Sequence, residues 1–290
     1  MAGRPRPTAR RIGLGHELRQ YRKAADLTIA QAVEGMPFDD STLQRIEAGW
    51  KSFRQAGHLR MLLERYGVAE DEIERLIAAQ REASSREWWT GVGTTNLLSG
   101  MQRFLGVESA AREIRFFHPT VVPGLLQTED YARALHELHK PINETTTEFG
   151  QATVRIRMQR KEAITRDEDP VKIWGILYEP ALRYAIGGAE VMREQYAELT
   201  ELAALENVTL QVLPQASNGY IALHHITIMI LGRGLPTTVQ TDTAWHTVAV
   251  TDKLRDVGRF TRMFDAMVAG ALPPGDTPKF LHRLSKELTE

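Results

Sequence analysis

Few residues in this 290-residue chain are grouped as a reaction would need them. There is no cysteine, which removes disulfides, thiolate nucleophiles and cysteine-ligated zinc together and suits a reducing cytoplasm. His136 and His139 stand three apart on a predicted helix, a spacing that can bring two imidazoles to one metal, but no second carboxylate-rich helix accompanies them. His224 and His225 are adjacent on a predicted strand, so they face opposite sides and cannot share an ion. No GxSxG elbow, Walker loop, HExxH pair or GxGxxG after a strand occurs. Enzyme chemistry, a metal and a cofactor are therefore not expected. What the chain does concentrate is positive charge: residues 1–68 hold 12 basic and seven acidic side chains, the remainder 24 and 30. A basic head on an acidic body predicts a polyanion partner at the N-terminus.

The elements that must position those cations read as short helices with tight punctuation. Leu14, Leu18 and Tyr21 share one face of a helix over Ile12 to Ala24. Thr28 is an N-cap for a second helix that stops near Gly35 and Pro37. Asp39 caps a third, with Leu43 and Ile46 as its buried stripe and Gly49 as its left-handed end. A fourth runs from Gln55 to Tyr66 and a fifth from Asp71 to Glu82. The expected division is a flexible basic arm at 1–11, an all-α five-helix helix-turn-helix domain at 12–83, a linker at 84–95 and a larger domain at 96–290. Arginines on the arm could enter a narrow minor groove.

In the larger part, helical and strand patterns mix without strict alternation, so α+β is expected overall. Strands are read at Arg115 to Val122 and in "VKIWGILY", "VTLQVLP", "HHITIMIL" and "TTVQTDTAWHTVAV". Thr128 caps a helix with Tyr131, Leu135 and Leu138 inward, and a long helix spans Glu144 to Arg166. Further helices are read at Val191 to Leu205, Lys253 to Val268 and Pro278 to Leu288. Trp88, Trp89, Phe116, His118, Gln127, Tyr131, Trp174 and Glu179 are candidates for a ligand or partner pocket, although aromatics at such spacings also serve as core.

The head's "LRQYRKAADLTIAQAVEG" and "STLQRIEAGWK" resemble the lambda-repressor-like (Cro/cI, XRE) helix-turn-helix domain, most diagnostically in Arg45-Ile46-Glu47-x-Gly49. "EWW", "VVPGLLQTEDYARAL", "EPALR" before a glycine pair, "VMREQYAEL" and "ENVTLQVLP" occur in an order that resembles the actinobacterial regulator family typified by WhiJ, whose C-terminal domain has no defined chemistry. The resemblance implies roles for single residues. Thr28 falls where helix 2 meets a phosphate, with Ile29 departing from the usual glutamine. Asp40, Ser41, Thr42, Gln44 and Arg45 fall on the recognition helix; Lys51, Ser52 and Arg54 fall in the loop that follows backbone phosphates. Arg22 and Glu47 match a structural salt bridge between helices 1 and 3. Pro37 stands where the family has a turn glycine, which leaves the turn geometry open.

The expected function is a dimeric, sequence-specific DNA-binding transcription regulator, cytoplasmic and nucleoid-associated, without a membrane segment. Its C-terminal domain would sense a small-molecule ligand or a small partner protein encoded nearby. The alternatives are an antitoxin-like partner-binding protein that mainly autoregulates its operon and, more remotely, an enzyme tethered to DNA.

Overall fold

The computed structural model describes residues 9–49, 51–53, 55–83, 101–232, 235–242 and 248–288. Its described residues divide into two compact units, one up to residue 110 and one from residue 111 onward. The arm before residue 9, the linker at 84–95, Arg54, Trp88 and Trp89 lie outside the described residues.

The first unit contains α1 (Ala9–Ala24), α2 (Ile29–Val33), α3 (Asp40–Glu47), α4 (Ala56–Arg65), α5 (Glu70–Ala83) and α6 (Met101–Glu108). Its core joins Leu14 and Leu18 of α1 to Val33, Leu43, Ile46, Leu59, Leu62, Leu63, Ile73 and Leu76, all buried. Those positions recur at three and four residues, so each helix turns one apolar stripe inward. α6 packs on α1 and groups with this unit, whereas its sequence lies beyond the expected linker.

The second unit is built on β1 (Glu113–His118), α7 (Glu129–Asn143), α8 (Thr147–Thr165), β2 (Lys172–Tyr178), α9 (Glu179–Arg183), α10 (Ala189–Ala203), β3 (Val208–Leu213), β4 (Ile226–Ile230), β5 (Thr238–Asp242), β6 (Val248–Thr251), α11 (Leu254–Gly270) and α12 (Thr277–Glu287). The six strands form one sheet in the order β3-β2-β1-β4-β5-β6. β1, β2 and β3 run parallel, joined by helical crossovers, and the other three pair antiparallel. The whole is α+β, an all-helical head followed by a mixed domain. The stretch expected as one strand at "TTVQTDTAWHTVAV" is two, β5 and β6, with Asp242 opposite Val248.

Alternation along β1 and β2 sends Phe117, Trp174 and Ile176 to the face covered by α11, where they meet Phe264 and Met267 or lie beside them. Phe116 and Gly175 are register partners on the opposite face. A Cβ on Gly175 would sit 2.5 Å from the Phe116 ring, so only glycine leaves that ring its place. Leu138, expected inward, is 49% exposed: the apolar stripe of α7 ends with Leu135 as the helix runs out past its neighbours. Gln195 of α10 is fully buried and serves the turn before α7 twice. Its Oε1 accepts from Thr128 N at 2.9 Å and its Nε2 donates to Leu126 O at 2.8 Å.

Candidate nucleic-acid interface

The exposed face of α3 is set by local capping first. Asp39 Oδ1 accepts from Thr42 N (2.8 Å) and Ser41 Oγ (3.1 Å). Those bonds hold its carboxyl below the usual range, so the cap stays anionic at the positive helix end. Leu43 and Ile46 then point into the core, which leaves Asp40, Ser41, Gln44 and Arg45 exposed. Gly49, at φ 75°, ends the helix in the left-handed conformation.

Two contacts fix α3 against α1. Arg22 Nε and Nη2 donate to Glu47 Oε1 and Oε2 at 2.6 and 2.9 Å, while Arg22 Nη1 donates to Leu27 O at 2.8 Å. Gly15 lies so close to α3 that a Cβ there would be 2.4 Å from Ile46 O.

The loop residues divide. Lys51 Nζ donates to Thr42 Oγ1 at 3.1 Å, so the ammonium is held beside α3 and the Thr42 hydroxyl is occupied. Ser41's hydroxyl is likewise occupied by the cap. Ser52 Oγ is sealed, without a partner, rather than turned outward. Thr28 is exposed, but its hydroxyl and N–H both donate to Gln31 Oε1 at 2.9 Å in a capping box. Arg45 and Gln44 remain exposed, and no described acid pairs with Arg45. The turn between α2 and α3 has its left-handed residue at Gly35, φ 70°, two positions before Pro37, and that is how proline is tolerated there.

Three features were absent from the sequence reading. Arg65 Nη1 donates to the carbonyls of Gln31 (3.3 Å), Ala32 (3.2 Å) and Glu34, so a side chain on α4 caps α2. Tyr21 donates to Glu72 Oε1 at 2.6 Å, joining α1 to α5 directly, and Arg75 of α5 donates to the same carboxylate oxygen at 2.7 Å. Gln80 Nε2 donates to Phe53 O at 2.7 Å. All are long-range, and no local pattern signals them.

In the second unit the pocket candidates fall in three places. His118, Gln127 and Tyr131 gather round one turn: Val122 N donates to Tyr131 Oη (3.1 Å) and Gln127 Nε2 donates to Val122 O (2.7 Å). Phe116 shares their side of the sheet. Trp174 is on the other face, its Nε1 donating to Gln211 and its ring carrying Arg115 at 5.4 Å. Glu179, in α9, accepts from Arg183 and Gln215. His136 and His139 do not converge either: His136 stacks on Phe149, and His139 Nδ1 contacts Leu135 O. Among the described residues no cluster could hold a metal ion, and no helix is long and apolar enough to cross a membrane.

Comparison with known families accounts for both units. Residues 13–76 match a Helix-turn-helix domain. Residues 101–283 match a Domain of unknown function (DUF5753). No curated protein and no solved structure matches the chain. Because the second match spans more than half of the sequence, the chain belongs to the DUF5753 family, and it carries a helix-turn-helix domain at its N-terminus.

Proposed function

We propose that the protein is a sequence-specific, dimeric transcription regulator of the Cro/cI (XRE) type, within the WhiJ-like actinobacterial group, and not an enzyme. The observation that carries this is the exposed face of α3. Gln44 and Arg45 stand outward there on a helix fixed by Arg22–Glu47 and by the Gly15 contact. Arginine can pair with guanine O6/N7 and glutamine with adenine N6/N7, each worth roughly 1 to 3 kcal/mol of discrimination when bidentate. Lys51, held by Thr42, suits a phosphate contact that positions the helix without reading sequence. Thr28, Asp40, Ser41, Thr42, Ser52 and Arg54 complete the proposed surface; Thr42 and Ser41 act through the hydrogen bonds that shape it, and Ser52 through its backbone. A single head reads only a few base pairs, which favours a homodimer on half-sites about one helical turn apart. The C-terminal domain would sense a ligand or a small partner protein, and the protein would act in the cytoplasm at the nucleoid.

The test is selection of duplexes from a random pool by the full-length protein, followed by titration of Arg45→Ala and Lys51→Ala. Arg45→Ala should remove the site preference. Lys51→Ala should weaken every duplex alike and reduce the salt slope by about 1. A wild-type protein with no preference among operator-sized duplexes at physiological salt would sink the reading.

A further inference from the structure

One end of the sheet gathers polar groups that DNA binding leaves unused. β1 ends in His118, whose Nδ1 accepts the N–H groups of Thr120 and Val121, both at 3.2 Å. Its ring lies 5.1 Å from that of His225. His225 in turn contacts Asp242 Oδ2 at 3.0 Å and Thr227 Oγ1 at 2.8 Å, and Gln240 Nε2 donates to Asp242 Oδ1 at 2.7 Å. The register places Phe116, Thr227 and Gln240 opposite one another, so these side chains share one face of the sheet.

Against this face comes Arg157 of α8. A Cβ on Gly124 would lie 3.9 Å from its Nε, which sets the guanidinium beside the turn that carries Gln127. Arg157 Nη1 is sealed and has no acceptor. Burial, with the like charge of Arg160 second, pulls its pKa down to about 10, so it is still cationic at neutral pH. That charge reaches His118, which burial chiefly holds at about 4. Yet both side chains keep some accessible surface. Both groups therefore sit where the buried turn and the sheet end meet solvent. Two further buried atoms without partners belong to the same surroundings, Gln127 Oε1 and Gln240 Oε1. A half-buried cation whose Nη1 is sealed and that no described carboxylate answers is costly unless something anionic comes to it.

We propose that the partly exposed end of the sheet where His118 and Arg157 meet, over the buried Tyr131, binds a small molecule bearing an oxyanion, a carboxylate or a phosphate group, with Arg157 as its counter-charge. Tyr131 is fully buried beneath them, and its Oη, by accepting from Val122 N, fixes the turn on which the site rests. The site gives the ligand-sensing part of the proposed function a place and a chemical class, and only its regulatory consequence rests on that reading.

The full-length protein should be titrated with sodium phosphate and separately with sodium acetate, against sodium chloride at matched ionic strength. Thermal unfolding and the arginine Nε–H resonances would be followed. A saturable rise in Tm with an oxyanion but not with chloride, together with a shift of the Arg157 resonance, is expected. A response to phosphate alone points to a phosphorylated ligand; a response to acetate as well points to a carboxylate. Arg157→Met should abolish the response without lowering Tm in chloride, because it removes an unanswered charge, and Arg157→Lys should bind at least tenfold more weakly. Identical unfolding in all three salts, or a response retained by Arg157→Met, overturns the proposal. Probe binding without any change in DNA affinity would strike the sensing reading alone, and DNA selection without probe binding would strike this site alone.

Discussion

Arg22 of α1 and Glu47 of α3 form a two-pronged ion pair at 2.6 and 2.9 Å, with only 11% and 5% of their side-chain surfaces exposed. The guanidinium's third nitrogen serves the Leu27 carbonyl, so one side chain ties the first helix to the third and to the start of the second. Glu47→Leu alone would leave a buried cation unanswered and should destabilise the head by about 3 to 5 kcal/mol. Arg22→Met with Glu47→Leu should recover most of that loss. Urea unfolding of both variants measures it; a double variant no better than the single would show the pair is not a unit.

Gly15 and Gly57 make a matched contrast. A Cβ on Gly15 meets backbone carbonyls of α3, so Gly15→Ala must push α1 and α3 apart, at roughly 1 to 3 kcal/mol. On the proposed interface DNA affinity should fall with it, because α3 is displaced. Gly57 lies in α4 with nothing within 4 Å, and Gly57→Ala should stabilise by about 0.5 to 1 kcal/mol. Equal Tm changes of the same sign in the two variants would contradict the packing.

Asp40 opens the exposed face of α3 with a carboxylate. On the proposed interface it can only accept hydrogen bonds, so it selects cytosine N4 and repels other edges and phosphates. Asp40→Gln should raise affinity for most duplexes and broaden the selected consensus. Binding measured across a duplex panel decides it: a tenfold loss on every member would remove Asp40 from the readout.

Acid should weaken the two units in different pH windows. Arg75 and Tyr21 hold Glu72 at about 2, below its ordinary 4.5, so its contribution to the head is complete above 4.5 and is lost as the pH falls towards 2. His118 is held at about 4 by burial, below its ordinary 6.5. The unfolded chain therefore takes up that proton first, and the second unit loses stability as the pH falls from 6.5 to 4. Hydrogen exchange resolved by residue should show the second unit loosening first, and His118→Gln should flatten its profile in that window.

The head was legible because its information is local. Apolar residues at three- and four-residue spacing, Asp39 and Thr28 as caps and Gly49 as a stop define α1 to α5 to within a few residues. The second unit was legible as strands and helices but not as a surface. Trp174 and Phe116 are both aromatic residues on adjacent strands, and only the register, which depends on distant chain, sends them to opposite faces. Arg157 carried no signal at all in the sequence, since an arginine on a basic-faced helix reads as solvated until a turn from elsewhere packs beside it and seals its Nη1. The α2–α3 turn shows the same limit on a smaller scale: Gly35, not position 37, takes the left-handed conformation.

Gln195 donates to Leu126 and accepts from Thr128 with the spacing a peptide group would use, so a side-chain amide stands in for one rung of a missing neighbouring strand. The rung comes from a helix more than sixty residues further along the chain. The turn next to Gln127 can therefore take its final shape only after α10 has docked, which makes it a late, high-contact-order event in folding. A nascent chain that has emerged only as far as β2 would hold α7 and α8 but not a finished turn.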